Sequence, residues 1–90
     1  MTAPAKETRK NRIKRLHMRS MRRGIKEMDI ILMRYAAAKL EGMSDAALDA
    51  YDALLSENDQ DLYQWVSGQQ EAPADLQDQI TDIRAVATGA

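Results

Sequence analysis

Apolar residues recur every three or four positions in five separate stretches of this 90-residue chain, the spacing of helices that bury one face. The first stripe, Ile13, Leu16, His17 and Met21, predicts a helix over about 9–22, with Arg9, Arg12, Lys14, Arg15 and Arg19 on the rest of its surface. The second, Ile25, Met28, Leu32, Tyr35, Ala36 and Lys39, predicts a helix over about 25–40, with Gly42 as a natural C-terminal cap. Ser44 is a good N-cap for a third helix, whose stripe is Ala47, Leu48, Tyr51, Leu54 and Leu55. The turn Glu57-Asn58-Asp59 closes it, and Asn58 or Asp59 caps a fourth helix over about 60–67 that buries Leu62, Trp65 and Val66, with Tyr63 near the rim. Ser67-Gly68 ends that helix, and Pro73 at the first helical position opens a fifth with the stripe Leu76, Ile80, Ile83, Ala87.

No strand signal interrupts this pattern, which predicts an all-α fold, a compact bundle of about five short helices. Residues 1–8 read as a flexible N-terminal tail and 9–88 as a single helical domain, with 85–90 fraying.

The break between the first two helices falls in Arg22-Arg23-Gly24-Ile25-Lys26-Glu27-Met28-Asp29. Cations at Arg22 and Arg23 complement the negative end of the first helix dipole. Gly24 tolerates the positive φ common just past a helix end, and Glu27 suits the N3 position of the next helix. Projected at about 100° per residue, Glu27 points away from the core stripe with Ile30 and Arg34 beside it and Met33 flanking. A solvated face would be evenly polar, so this is a small mixed patch suited to another surface. Asp29 lies at the edge of the core stripe and needs a capping or inter-helix bond.

Composition limits the core. A chain of this size buries roughly 60–65% of its unfolded surface, and its aromatics are Tyr35, Tyr51, Tyr63 and Trp65, with no Phe, so Leu, Ile, Met and Ala fill the interior. Trp65, the largest side chain, reads as a core anchor. The absence of cysteine excludes disulfides and thiolate metal sites.

Charge divides the chain. Residues 1–43 carry 12 Lys and Arg against 4 acids, and residues 44–90 carry 1 against 10. Either the basic end seeks an anionic partner, or the two halves attract each other, or each matches part of a partner. The basic first helix lacks interleaved aromatics or Asn and Gln for base reading, and no recognition helix follows, which argues against nucleic acid. No apolar run approaches the roughly 20 residues of a membrane span, and no signal-peptide core follows the N-terminal positives. Although Arg-rich, the first 22 residues run directly into the Gly24 segment, which argues against a transit sequence.

Catalytic chemistry is missing from the pattern. There is no nucleophile with a His base, no paired buried carboxylates, no metal cluster and no glycine-rich phosphate loop. His17 has no second ligand at metal spacing and reads as a packing residue. The chain reads as an interaction protein, not an enzyme.

Two stretches carry a family resemblance. Arg23-Gly24-x-x-Glu27, followed by Met28-Asp29, resembles the Arg-Gly-x-x-Glu motif of the flavinylation assembly factors of succinate dehydrogenase, the SdhE type, also called succinate dehydrogenase assembly factor 2. Downstream, Asp59-x-Asp61-Leu62-Tyr63-x-Trp65-Val66 is similar to that family's Asp-rich turn and Leu-aromatic-x-Trp helix, with Gln60 where the family often has Pro. The resemblance spans about residues 9–85. It implies a chaperone-like protein of the bacterial cytoplasm that binds the flavoprotein subunit of succinate dehydrogenase, or of the related fumarate reductase, and promotes covalent attachment of FAD to it. FAD is then the client's cofactor, and the chain itself holds none tightly. Carried over, the motif assigns client binding to Arg23, Gly24 and Glu27, with Arg22 and Asp29 adjacent. Ile30 and Arg34 join them from the helix projection, as the rim of one patch. Exposed apolar residues there leave the free chain a monomer or a weak homodimer.

Overall fold

The hydroxyl of Thr8 accepts a hydrogen bond from the Asn11 N–H, and the chain enters its first helix there. The computed structural model describes residues 7–87, within which the chain is all-α. Five α-helices follow in order: α1 (Arg9–Arg19), α2 (Lys26–Lys39), α3 (Asp45–Leu54), α4 (Asp59–Val66) and α5 (Gln77–Ala87). Short 3-10 turns at Leu40–Gly42 and Ala74–Leu76 continue α2 and lead into α5. Two residues expected in the flexible tail are fastened instead: Thr8 caps α1 and Glu7 accepts from Arg15 Nε at 2.8 Å. Residues 1–6 of the predicted tail lie outside the described residues, as does the end of the predicted fraying segment.

α2 is the central helix, packed against α5, α1 and α4. Its expected stripe is buried: Met28, Leu32 and Ala36 are inaccessible and Tyr35 nearly so. Ile13 and Leu16 of α1, Leu48, Tyr51, Leu54 and Leu55 at α3, Leu62 and Val66 of α4, and Ile80 and Ile83 of α5 complete one core. The Tyr35 and Tyr51 rings meet with centroids 5.5 Å apart and planes tilted by 46°, a geometry favourable for aromatic pairs.

Side-chain caps start three of the five helices, α1, α3 and α4. Ser44 Oγ accepts from Ala47 N–H, and Asn58 Oδ1 from Gln60 N–H, so Asn58, of the two candidates, caps α4.

Four expectations are corrected. α1 ends at Arg19, not residue 22, because Ser20, fully buried, bonds back to the Leu16 carbonyl at 2.8 Å and to the Tyr51 hydroxyl at 2.6 Å. Such back-bonding competes with helix propagation. Trp65 is only partly buried, and among the described residues Tyr51 is the largest fully buried side chain. Gly42 closes the 3-10 turn without a positive φ. Pro73 precedes the 3-10 turn, and α5 proper starts at Gln77.

Candidate functional site

The segment between α1 and α2 is fastened by side chains from elsewhere in the chain. Ser20 and Met21 close the last turn through N–H bonds to the Leu16 and Met18 carbonyls. Arg22 then takes φ +59, the left-handed region, a strain of about 1–2 kcal/mol for an L-residue. The positive φ expected at Gly24 falls here instead. Ile25 is extended and opens α2 without a side-chain cap, so Glu27 stands at N2 rather than N3, still in the first turn beside the positive dipole.

Gly24 serves a different need. Its N–H donates to Asp59 Oδ2 at 2.6 Å, and a Cβ built on it would lie 3.3 Å from that oxygen. Close approach, not backbone angle, is what favours glycine here, because a Cβ would press on the Asp59 carboxylate.

Asp59 stands at the start of α4 and does not cap it. Its second oxygen, Oδ1, accepts from Arg23 Nε at 2.8 Å. Arg23 Nη1 donates to the Arg19 carbonyl at 2.9 Å and Nη2 to the Leu55 carbonyl at 2.8 Å. All three guanidinium nitrogens are thus bonded within the fold, and the side chain is 11% exposed against 20% for Asp59. One arginine joins the ends of α1 and α3 to the start of α4. Asp29 Oδ1 accepts from the Arg23 N–H, which is the partner its place at the core edge demanded.

The sequence-predicted site residues therefore divide. Arg23 and Asp29 are spent inside the turn, whereas Arg22, Glu27, Ile30 and Arg34 are exposed, and Gly24 is exposed at the turn itself. Along α2, Lys26, Glu27, Ile30, Met33, Arg34 and Ala37 form one continuous outward face. Ile30 is 52% and Met33 44% exposed. Met18 of α1, which lies outside the stripe of that helix, is also exposed.

Part of the charge asymmetry is met within the molecule, between α1 and α3. Arg9 pairs with Asp45 at 3.5 Å, Arg12 with Asp49, Arg15 with Asp52 at 3.2 Å, and Arg19 with the same Asp52. These arginines recur every three or four residues on α1, as do the aspartates on α3, so the two helices zip along matching faces. Partial burial pushes the Asp52 carboxyl up, but bonds from Arg15 and Arg19 outweigh it and hold the group below the usual range. The hydrogen bond from Arg15 likewise lowers Glu7. The α1 guanidinium groups that would grip phosphates are already bonded to carboxylates.

Elsewhere, burial raises the hydroxyl pKa of Tyr51, and burial with a 2.8 Å bond to Asp82 raises that of Tyr35. A cleft of about 510 Å³ opens between α2, α3 and α5, lined by Tyr35, Lys39, Met43, Tyr51, Asp78 and Asp82, none of them in the motif. Among the described residues no three His, Cys, Asp or Glu side chains are grouped to hold a metal, and no helix is long and apolar enough to cross a membrane.

Sequence reasoning missed the Asp59 clasp, although Asp59 stood in the quoted downstream motif. The available signal was the pairing of two acid-bearing and arginine-bearing motifs that local structure alone left unused.

Comparison with known proteins places this sequence among relatives. Residues 14–87 match the family described as "Flavinator of succinate dehydrogenase". Over 61 residues the chain is 46% identical to the mitochondrial succinate dehydrogenase assembly factor 2 of Meyerozyma guilliermondii, covering 68% of this chain and 45% of that protein. A Candida glabrata protein of the same name is 49% identical over 53 residues, 59% of this chain and 35% of its own length. The FAD assembly factor SdhE of Legionella pneumophila is 34% identical over 74 residues, 82% of this chain and 94% of that protein. The chain spans less than half the length of the two fungal relatives and nearly all of the bacterial one.

Proposed function

Because the chain belongs to the succinate dehydrogenase flavinator family, we propose that it binds the flavoprotein subunit of succinate dehydrogenase and promotes covalent attachment of FAD to that subunit. It acts as an assembly factor, and the client supplies the reacting groups. Its contribution is to hold the client in a conformation where the accepting histidine and the flavin are aligned, catalysis by positioning carried out on another protein. The FAD belongs to the client, and fumarate reductase, whose flavoprotein is related, is a second candidate client.

One observation carries the reading: the outward face of α2. Ile30 and Met33 stand exposed between Lys26, Glu27 and Arg34, directly after the clasped Gly24 turn. A monomeric surface does not need two large apolar side chains there, and an interface does. Glu27 and Arg34 supply the polar rim, Ile30 and Met33 the apolar centre. Arg23, Asp29 and Asp59 shape the turn from beneath.

Binding of the purified flavoprotein subunit to immobilised wild type and to Ile30→Asp tests this. The substitution removes an exposed side chain and leaves the fold intact, so thermal stability stays within a few degrees while affinity falls at least tenfold. Equal affinity would remove α2 from the interface.

A further inference from the structure

Arg22 and Arg23 are neighbours with opposite surroundings. Arg23 is 11% exposed and donates from all three guanidinium nitrogens inside the fold. Arg22 is exposed, makes no ion pair among the described residues, and sits at φ +59. A left-handed residue just past a helix end is ordinarily glycine. This chain has a glycine two residues on, at Gly24, and uses it instead for the close approach to Asp59.

Arginine in the strained position is thus held against backbone preference. The Arg23 N–H bond to Asp29 and the Gly24 N–H bond to Asp59 fix the chain on one side of it. The Ser20 and Met21 N–H bonds to the last turn of α1 fix the other. Strain maintained in this way marks a side chain that is wanted in a particular direction.

We propose that Arg22, not Arg23, is the cation this motif presents to its partner, where it meets a carboxylate on the flavoprotein surface. The assignment rests on the function proposed above. Its surroundings define the chemistry of the docking surface. On the outward face of α2, Lys26 and Arg34 against Glu27 leave a net charge of +1 around the apolar Ile30 and Met33, and Arg22, exposed in the turn that leads into the helix, adds a further positive charge at its start. The complementary surface is acidic at its rim with an apolar recess at its centre. A guanidinium engages a carboxylate bidentately, which lysine cannot do. Arg23 is a positioning residue that keeps the turn in place.

The test measures the dissociation constant of the purified flavoprotein subunit at low and high salt, together with Tm, for wild type, Arg22→Gly, Arg22→Lys, Arg23→Lys and Glu27→Ala. Arg22→Gly relieves the left-handed strain, so its Tm rises, yet its dissociation constant increases tenfold or more. Its binding is also less salt-sensitive than that of wild type, and Arg22→Lys recovers part of the loss. Arg23→Lys lowers Tm. A merely structural Arg22 cannot gain stability and lose affinity together. If wild type binds and Glu27→Ala weakens it while Arg22→Gly binds as wild type does, the assignment of Arg22 fails and the proposed function stands. If wild type does not bind the flavoprotein at all, both fall.

Discussion

Replacing Asp59 by Asn tests the clasp that holds the motif turn. The carboxylate accepts from Arg23 Nε at 2.8 Å and from Gly24 N–H at 2.6 Å. An Asn side chain has one oxygen for these two donors and turns its own N–H₂ toward the other. One charge-assisted hydrogen bond, worth about 1.5–3 kcal/mol, is lost. The Arg23 guanidinium keeps the Arg19 and Leu55 carbonyls, which limits the penalty. The expected cost is about 2 kcal/mol, or a fall in Tm of roughly 8–16 °C for a domain this small. Urea unfolding followed by circular dichroism reads it as a lower midpoint with unchanged slope. A cycle with Arg23→Lys should show a coupling of at least about 1 kcal/mol, because the two residues share one contact. High salt leaves most of the effect in place, since the pair is 11% and 20% exposed. A loss below about 0.5 kcal/mol, the level of an ordinary surface substitution, would refute the clasp.

Three other outcomes follow from particular contacts. Gly24→Ala places a Cβ 3.3 Å from Asp59 Oδ2, which costs about 1 kcal/mol in the same urea assay; a variant as stable as wild type would show that the turn yields freely. Ser20→Ala leaves the Tyr51 hydroxyl, buried in the core, without its 2.6 Å partner, and stability falls by about 1–3 kcal/mol, whereas a neutral result would mean that Tyr51 finds another acceptor. Asp52 has a folded pKa held below its unfolded value by Arg15 and Arg19 against the opposing effect of burial. It therefore contributes stability above the unfolded value of about 3.9 that is lost as pH falls through the folded value. Against Asp52→Asn, wild type is more stable at pH 7 by up to about 1 kcal/mol, the modest worth of a partly exposed pair, and the two converge in acid; a gap independent of pH would exclude this origin.

Helical spacing made most of the fold legible. Met28, Leu32, Tyr35 and Ala36 follow the 3.6-residue period and are buried, because a bundle core asks of each helix only that one stripe be apolar. The failures occur where a side chain bonds across the fold. Ser20 looks like a surface residue in sequence, but its hydroxyl meets Tyr51, 31 positions away, and that contact ends α1 early. Trp65 looks like the anchor by size, yet α4 buries Leu62 and Val66 and leaves the indole at the edge. Of the residues assigned to the site from sequence, the exposed ones were legible as exposed, because the α2 projection alone places Glu27, Ile30 and Arg34 outward. Arg23 was not, since nothing local distinguishes an arginine that faces a partner from one that faces Asp59, 36 residues on. The opposite charges of the two halves were visible at once. Their match as a ladder between α1 and α3 needed the relative placement of two helices, which no single helix encodes.

The assembly role is tested most directly by in-gel flavin fluorescence of the denatured succinate dehydrogenase flavoprotein subunit, produced alone, with this chain, and with its Glu27→Ala variant. Glu27 is exposed and its replacement leaves the core untouched, so any loss reports on contact rather than folding. The expected result is a fluorescent band that depends on the wild-type chain and weakens with the variant. Equal fluorescence in all three samples would contradict the role in flavinylation and its placement at the outward face of α2.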